Sequence, residues 1–135
     1  MSEIASLQFA NEAFYLIFGN RDFAGMDALW AAHENVSCIH PGWEALDNRE
    51  DVMASWKSLM ANENSPSITC RAPRARIIGE TGVVVCYELL GSSVLVATNI
   101  FVKDGTAWKM VHHQAGPCRG LPDDLSEEPE APGVQ

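Results

Sequence analysis

Apolar positions in the first third of the chain repeat with the period of a helix, and those after Pro66 with the period of a strand. Between Ile4 and Phe18, the residues Ile4, Leu7, Ala10, Phe14, Ile17 and Phe18 recur at helical steps, and Gly19-Asn20 supplies a stop signal. That spacing predicts an amphipathic helix. A second helix is expected from Asp22, a capping residue, through Phe23, Met26, Leu29 and Trp30 to about His33. The run "VSCIH" reads as a short strand that stops at the Pro41-Gly42 turn. Asn48 then caps a third helix whose stripe is Val52, Trp56, Leu59 and Met60.

The later segments "SITCRAPRARII", "GVVVCYELL", "SVLVATNIFVK" and "AWKMVHHQ" are rich in β-branched and aromatic residues. Gly79-Glu80-Thr81-Gly82, Gly91-Ser92 and Asp104-Gly105 separate them, and turns this short join antiparallel strands. Helices first and a meander afterwards predict an α+β fold, with the helices covering one face of a curved antiparallel sheet. From Arg119 the chain turns acidic and proline-rich, "RGLPDDLSEEPEAPGVQ". One domain over 1–118 is therefore expected, followed by a tail over 119–135 that is disordered and dispensable from about Asp123 onward.

Composition narrows the partners. With 135 residues and 47% hydrophobic content, the chain can close a core without disulfide staples. Its formal net charge of -9 argues against binding nucleic acid or an anionic membrane, both of which require a basic face. The opening residues lack the basic flank and cleavage site of a signal peptide, and no apolar run reaches the length of a membrane span. A cytoplasmic protein that binds small molecules or other proteins is the expectation. Cys38, Cys70, Cys86 and Cys118 form no C-x-x-C pair and read as reduced, buried spectator thiols. Neither a metal nor a cofactor is expected, since no zinc-ligand spacing, nucleophile elbow or phosphate-binding glycine loop occurs.

Strand alternation sorts the remaining candidates by face. In the last strand Trp108, Met110 and His112 fall on one side, and Lys109, Val111, His113 and Ala115 on the other. In the strand before it, Leu95, Ala97, Asn99 and Phe101 oppose the β-branched set Val94, Val96, Thr98, Ile100 and Val102. The uniformly apolar set suits a dimer contact, and the set with one polar residue suits a pocket. Strict alternation places His113 with Asn99 and turns His112 away, unless a bulge near Gln114 breaks the parity. Glu88 shares a side with Val84, Cys86 and Leu90; an inward carboxylate has to be paired, with Lys109 or His113, or else point outward.

The order of elements, together with "HPGWEALDNREDVMASW" and the closing "ATNIFVKDGTAWKMVHHQAGP", resembles the SnoaL-like branch of the nuclear transport factor 2-like superfamily. The resemblance spans roughly residues 5–117. It implies a cone-shaped α+β fold with a central pocket between sheet and helices, usually as a homodimer packed through the open sheet face. It also implies functional diversity, since isomerases, cyclases, dehydratases and non-catalytic modules share this shell. Ketosteroid isomerases of the superfamily carry their base at an aspartate-proline step, matched here by His40-Pro41. Their protonated aspartate donor matches Asn99, and their tyrosine donor matches Phe14, so a steroid isomerase is disfavoured.

Two classes of function remain open. One is a cofactor-independent isomerase, lyase or cyclase acting on a small, partly apolar carbonyl or hydroxyl compound. In it His40 is the base, Asn99 an orienting donor and His113 the acid, with Phe14, Trp30, Trp43, Trp56, Glu88 and Phe101 as ligand-binding residues. The other is a non-catalytic ligand-sensing or assembly module of the same fold. In it His40 merely bonds a loop carbonyl, His113 orients a helix end and the tryptophans are core.

Overall fold

The computed structural model describes residues 2–125. Three helices precede and partly interrupt a single sheet. Helix α1 covers Glu3–Gly19, α2 Phe23–Leu29 and α3 Arg49–Ala61; the strands are β1 Ser37–Ile39, β2 Thr69–Ile78, β3 Thr81–Leu90, β4 Ser93–Asp104 and β5 Ala107–Pro117. Each helix starts on a side-chain cap. Ser2 accepts from the Ala5 amide, Asp22 from Gly25 and Asn48 from Asp51, satisfying donors the first turn leaves free. Helix α2 is shorter than its apolar pattern predicts. It stops at Leu29 because Trp30 leaves helical geometry and joins β5 through a bridge to Met110.

The strands run in the order β1-β5-β4-β3-β2. Strands β2 to β5 form the expected antiparallel meander, joined by two-residue loops. The sheet as a whole is mixed, which corrects the antiparallel expectation: β1 pairs parallel to β5, with Cys38 opposite His113. Helix α3 and the meander separate these two strands in sequence, and that long connection permits a parallel pairing.

Two bulges break the register of the sheet and bend their strands. One falls at Ala72-Pro73 in β2; the other inserts Val111 in β5 between the pairs Ile100–His112 and Phe101–Met110. The second also corrects the facing of β5. Trp108 and Met110 are buried on the same side as His113 and Ala115, whereas strict alternation assigned them to opposite sides. The break lies at Val111, three residues before the expected position at Gln114.

The helices pack on the concave face. Leu7, Phe14, Trp30, Met26, Val52, Val84, Phe101 and Met110 are sealed there. Gly82 lets α1 approach closely, because a Cβ at that position would meet Leu7 Cδ1 at 2.6 Å. The buried side of α1 is rotated from the expected stripe: Ile4 is 40% exposed, while Asn11 and Tyr15 are buried. Beyond β5, Asp123–Leu125 form one short helical turn. Residues 126–135, most of the expected disordered tail, lie outside the described residues.

Candidate functional site

Asn11, Asn99, His113 and Glu88, buried on the concave face, form one connected chain through the Tyr15 hydroxyl. Asn99, at the centre of β4, donates from Nδ2 to Asn11 Oδ1 at 2.8 Å and to the Tyr15 hydroxyl at 3.1 Å. Its Oδ1 lies 2.6 Å from His113 Nδ1, and the Tyr15 hydroxyl lies 2.6 Å from Glu88 Oε2. Asn11 turns its Nδ2 to Cys70 Sγ at 3.8 Å and so presents Oδ1 to Asn99; with that orientation Asn99 Oδ1 faces His113, whose Nδ1 carries the proton. His113 is thus held as the tautomer whose Nε2 has a free lone pair.

His40 ends β1 and reaches the same region from the other side. Its Nε2 lies 2.8 Å from Ser55 Oγ, and Ser55 in turn donates to Val52 O at 2.7 Å. Because the hydroxyl proton is spent on that carbonyl, Ser55 accepts from His40, which therefore carries its proton on Nε2. Trp43 and Trp56 each meet the His40 ring edge-on at 4.7 Å. His113 packs against Phe14 at 5.0 Å and Trp56 at 5.6 Å, with the two imidazoles 6.5 Å apart.

Burial keeps both rings neutral. It lowers the His40 pKa from 6.5 to about 4, and it lowers that of His113 to about 3, helped by the nearby charges of His40 and His112. Glu88 is moved the other way. Burial raises its pKa against the opposing hydrogen bond from Tyr15, and burial followed by the Glu88 charge raises that of Tyr15.

A cavity of about 250 Å³ opens between α1, α3 and the sheet. Its apolar wall includes Phe18, Trp43, Trp56, Ile68, Leu90 and Leu95, and its polar groups are His40, Glu88 and His113. A wider groove of about 380 Å³ on the convex face, between Arg74, Arg76 and Tyr87, touches no member of the polar chain. A groove of about 410 Å³ touches the polar chain at Asn11 and Tyr15 but at neither histidine; the smaller cavity, where His40, Glu88 and His113 meet, is therefore the candidate site.

Of the residues singled out from sequence, His40, Trp43, Trp56, Glu88 and His113 line it together. Asn99 lies behind the wall with its donors spent inside the protein, and Phe14 backs His113. Trp30 and Phe101 belong to the core, and neither is part of the cavity wall. Glu88 points inward and pairs with Tyr15; the expected partner Lys109 instead donates to Ala28 O at 2.8 Å. His112 faces away and bonds Ser37 Oγ at 2.7 Å.

Sequence reading missed Tyr15, Asn11 and Ser55. The resemblance to ketosteroid isomerases pointed to Phe14, yet the hydroxyl that enters the site comes from the next residue. A signal was present: Leu7, Asn11 and Tyr15 stand at successive four-residue steps and share one helix face. Among the described residues no cluster of three or more potential ligands could hold a metal ion. All four cysteines are free thiols.

Comparison with known proteins agrees with this architecture. A candidate dehydratase of the NTF2-like family from Streptomyces avermitilis is similar at 30% identity and a TM-score of 0.78, over 86% of this chain and 96% of that one. A candidate calcium/calmodulin-dependent protein kinase type II association domain from Thiobacillus denitrificans is similar at 28% identity and a TM-score of 0.70, over 82% and 93%. The CaMKII hub of S. rosetta shares the fold at 16% identity and a TM-score of 0.73, over 87% and 100%. No curated protein sequence matches. The family profile described as the SnoaL-like domain matches residues 8–118, and on that match, with helices over a curved five-stranded sheet, the chain belongs to the SnoaL-like family of NTF2-like proteins.

Proposed function

We propose that the protein binds a small, partly apolar carbonyl or hydroxyl compound in the 250 Å³ cavity and carries out acid-base chemistry of the isomerase, lyase or cyclase type without a cofactor. The observation that carries this reading is the fixed tautomer of His113. Asn11, Asn99 and Tyr15 are committed to holding one imidazole so that an unprotonated nitrogen is left beside an apolar cavity. A purely structural buried histidine would have partners on both ring nitrogens, whereas, among the described residues, His113 has one on Nδ1 alone. The likeness to a candidate dehydratase supports the same class of chemistry. In this reading His113 and His40 contact the ligand, Trp43 and Trp56 form its walls, and Asn99 positions His113.

The working form is a cytoplasmic homodimer joined through the convex sheet face, where Val85 and Val96 are 38% and 36% exposed. Mass spectrometry of the protein as purified should reveal a retained small molecule. His40→Ala and His113→Ala should abolish its retention, and His112→Ala should spare it. Equal loss from His112→Ala with the dimer intact would remove the cavity from consideration. A second reading, a non-catalytic assembly module, draws on the likeness to an association domain. It requires assembly to survive both histidine substitutions and no ligand to be found.

A further inference from the structure

Three of the chain's nine basic residues stand on one side of the edge strand β2. Arg71, Arg74 and Arg76 pair with Tyr87, Val85 and Val83, which alternate along β3 with the buried Val84, Cys86 and Glu88, so the arginine row lies on the convex face. Arg71 is already engaged. Arg74 and Arg76 are exposed and belong to no ion pair among the described residues. Two like charges are thus held about 7 Å apart by the strand repeat, in a chain that has 18 acidic residues to draw on.

The groove of about 380 Å³ beside them joins these arginines to Val83, Val85 and Tyr87, and its remaining lining includes Pro122 and Asp124. The chain therefore leads into the groove by itself. After β5 the Cys118 amide donates to Val94 O at 3.1 Å, and a few residues later Asp124 stands among the groove's walls. The described chain stops at Leu125, one residue beyond, and the ten residues that follow, "SEEPEAPGVQ", carry three glutamates and no basic group. Pro129 disfavours a helix and holds Glu128 extended. In an extended chain Glu128 and Glu130 fall on the same side about 7 Å apart, which is the spacing of Arg74 and Arg76. Five residues from Leu125 to Glu130 reach about 17 Å, enough to pass both arginines.

We propose that residues 126–135 dock in this convex groove, with Glu128 and Glu130 set against Arg74 and Arg76. Tethering favours this segment over other acidic occupants. Exposed ion pairs are individually weak, so a separate peptide gains little from two of them. A segment joined to the groove wall meets the same arginines at an effective concentration on the order of millimolar. Once docked, it shields Val83, Val85 and Tyr87 from water. Val94, Val96 and Ile100 of β4 are not part of the groove and stay open to a second copy. The groove is thus a receptor for an acidic, proline-containing peptide, filled by the chain's own end.

The test measures backbone 15N order parameters of Glu127, Glu128 and Glu130 in the full-length protein. In wild type at about 10 mM salt, where charges act over about 30 Å, they should exceed about 0.7. At about 1 M salt they should fall below about 0.6, the range of a free segment. Arg74→Glu with Arg76→Glu should release the segment at low salt, and so should Glu128→Lys with Glu130→Lys. Combining all four changes should restore order. The lysine variants alter only the tail, so they decide the matter even if the arginine variants fold poorly. Order parameters below about 0.6 in wild type at low salt would overturn the proposal. Order that survives Glu128→Lys with Glu130→Lys, or that the four changes together do not restore, would overturn the pairing of these residues. Order lost on about tenfold dilution would assign the groove to the tail of a second copy and overturn docking within one chain.

Discussion

The two faces of the sheet solve opposite problems with adjacent residues. On the concave face, β3, β4 and β5 contribute Glu88, Asn99 and His113 to a region almost closed to water, and nearly all their polar atoms find partners. On the convex face the same strands present Val83, Val85, Val94, Val96 and Ile100, apolar groups left partly in water. His113 and His112 make the contrast within two residues. The first is 3% exposed and locked by an amide, and the second is half-buried and held by a serine hydroxyl. A buried polar group contributes only when its whole network is intact, whereas an exposed apolar group contributes when something covers it.

Cutting the inner network should give the largest effect. Asn99→Ala leaves His113 Nδ1 and Asn11 Oδ1 without their partner, at roughly 1 to 3 kcal/mol for each group, while the Tyr15 hydroxyl keeps its bond to Glu88. Urea unfolding should show a loss of about 4 kcal/mol. A loss below about 1 kcal/mol would mean that water replaces the amide and that the two faces differ less than their burial implies.

Acid should act on the inner face next. His40 binds its proton at about 4 in the folded protein and at its ordinary 6.5 when unfolded, so the unfolded chain takes up that proton first as pH falls. Stability present above 6.5 is therefore lost on the way down to about 4, by about 3 kcal/mol for His40 alone. His113 adds to the loss in the same direction. Glu88 has the opposite sign: its raised pKa withdraws stability as pH rises above the usual carboxylate range. In His40→Gln, melting temperature against pH should be visibly flatter on the acid side.

The convex face should respond in assembly more than in folding. Val96→Asp should convert a species with the mass of two chains into one with the mass of a single chain by light scattering. Its effect on the folding of the chain itself should stay within about 1 kcal/mol. A wild-type mass of one chain would remove the dimer. The smallest change expected is from His112→Ala, which deletes one half-buried hydrogen bond to Ser37 and should cost about 1 kcal/mol. A cost rivalling that of Asn99→Ala would erase the distinction between the two histidines.

The periodic elements were legible in the chain. Caps at Asp22 and Asn48, the hairpin glycines and the β-branched runs are local signals, and local geometry follows from them. The parallel pairing of β1 was not legible, because three residues carry no mark of the strand they will join after a connection of several elements. His40, Asn99 and His113 were singled out by residue type, strand facing and the resemblance at His40-Pro41, and all three are buried on the concave side. Tyr15 was not, because a tyrosine in a helical stripe reads as core, and only the long-range contact with Glu88 shows what its hydroxyl does.

The additional residue at Val111 gives β5 a freedom that a regular strand lacks. In an unbroken strand, inserting or deleting one residue sends every later side chain to the wrong face. Here the surplus position is already absorbed between the Trp108–Met110 portion and the portion carrying His113. Removing Val111 alone would leave Trp108, Met110, His113 and Ala115 on the side they now occupy and would straighten the strand between them. The bulge is thus a silent point for a one-residue deletion, which would change the curvature of the cavity floor without changing which histidine looks inward.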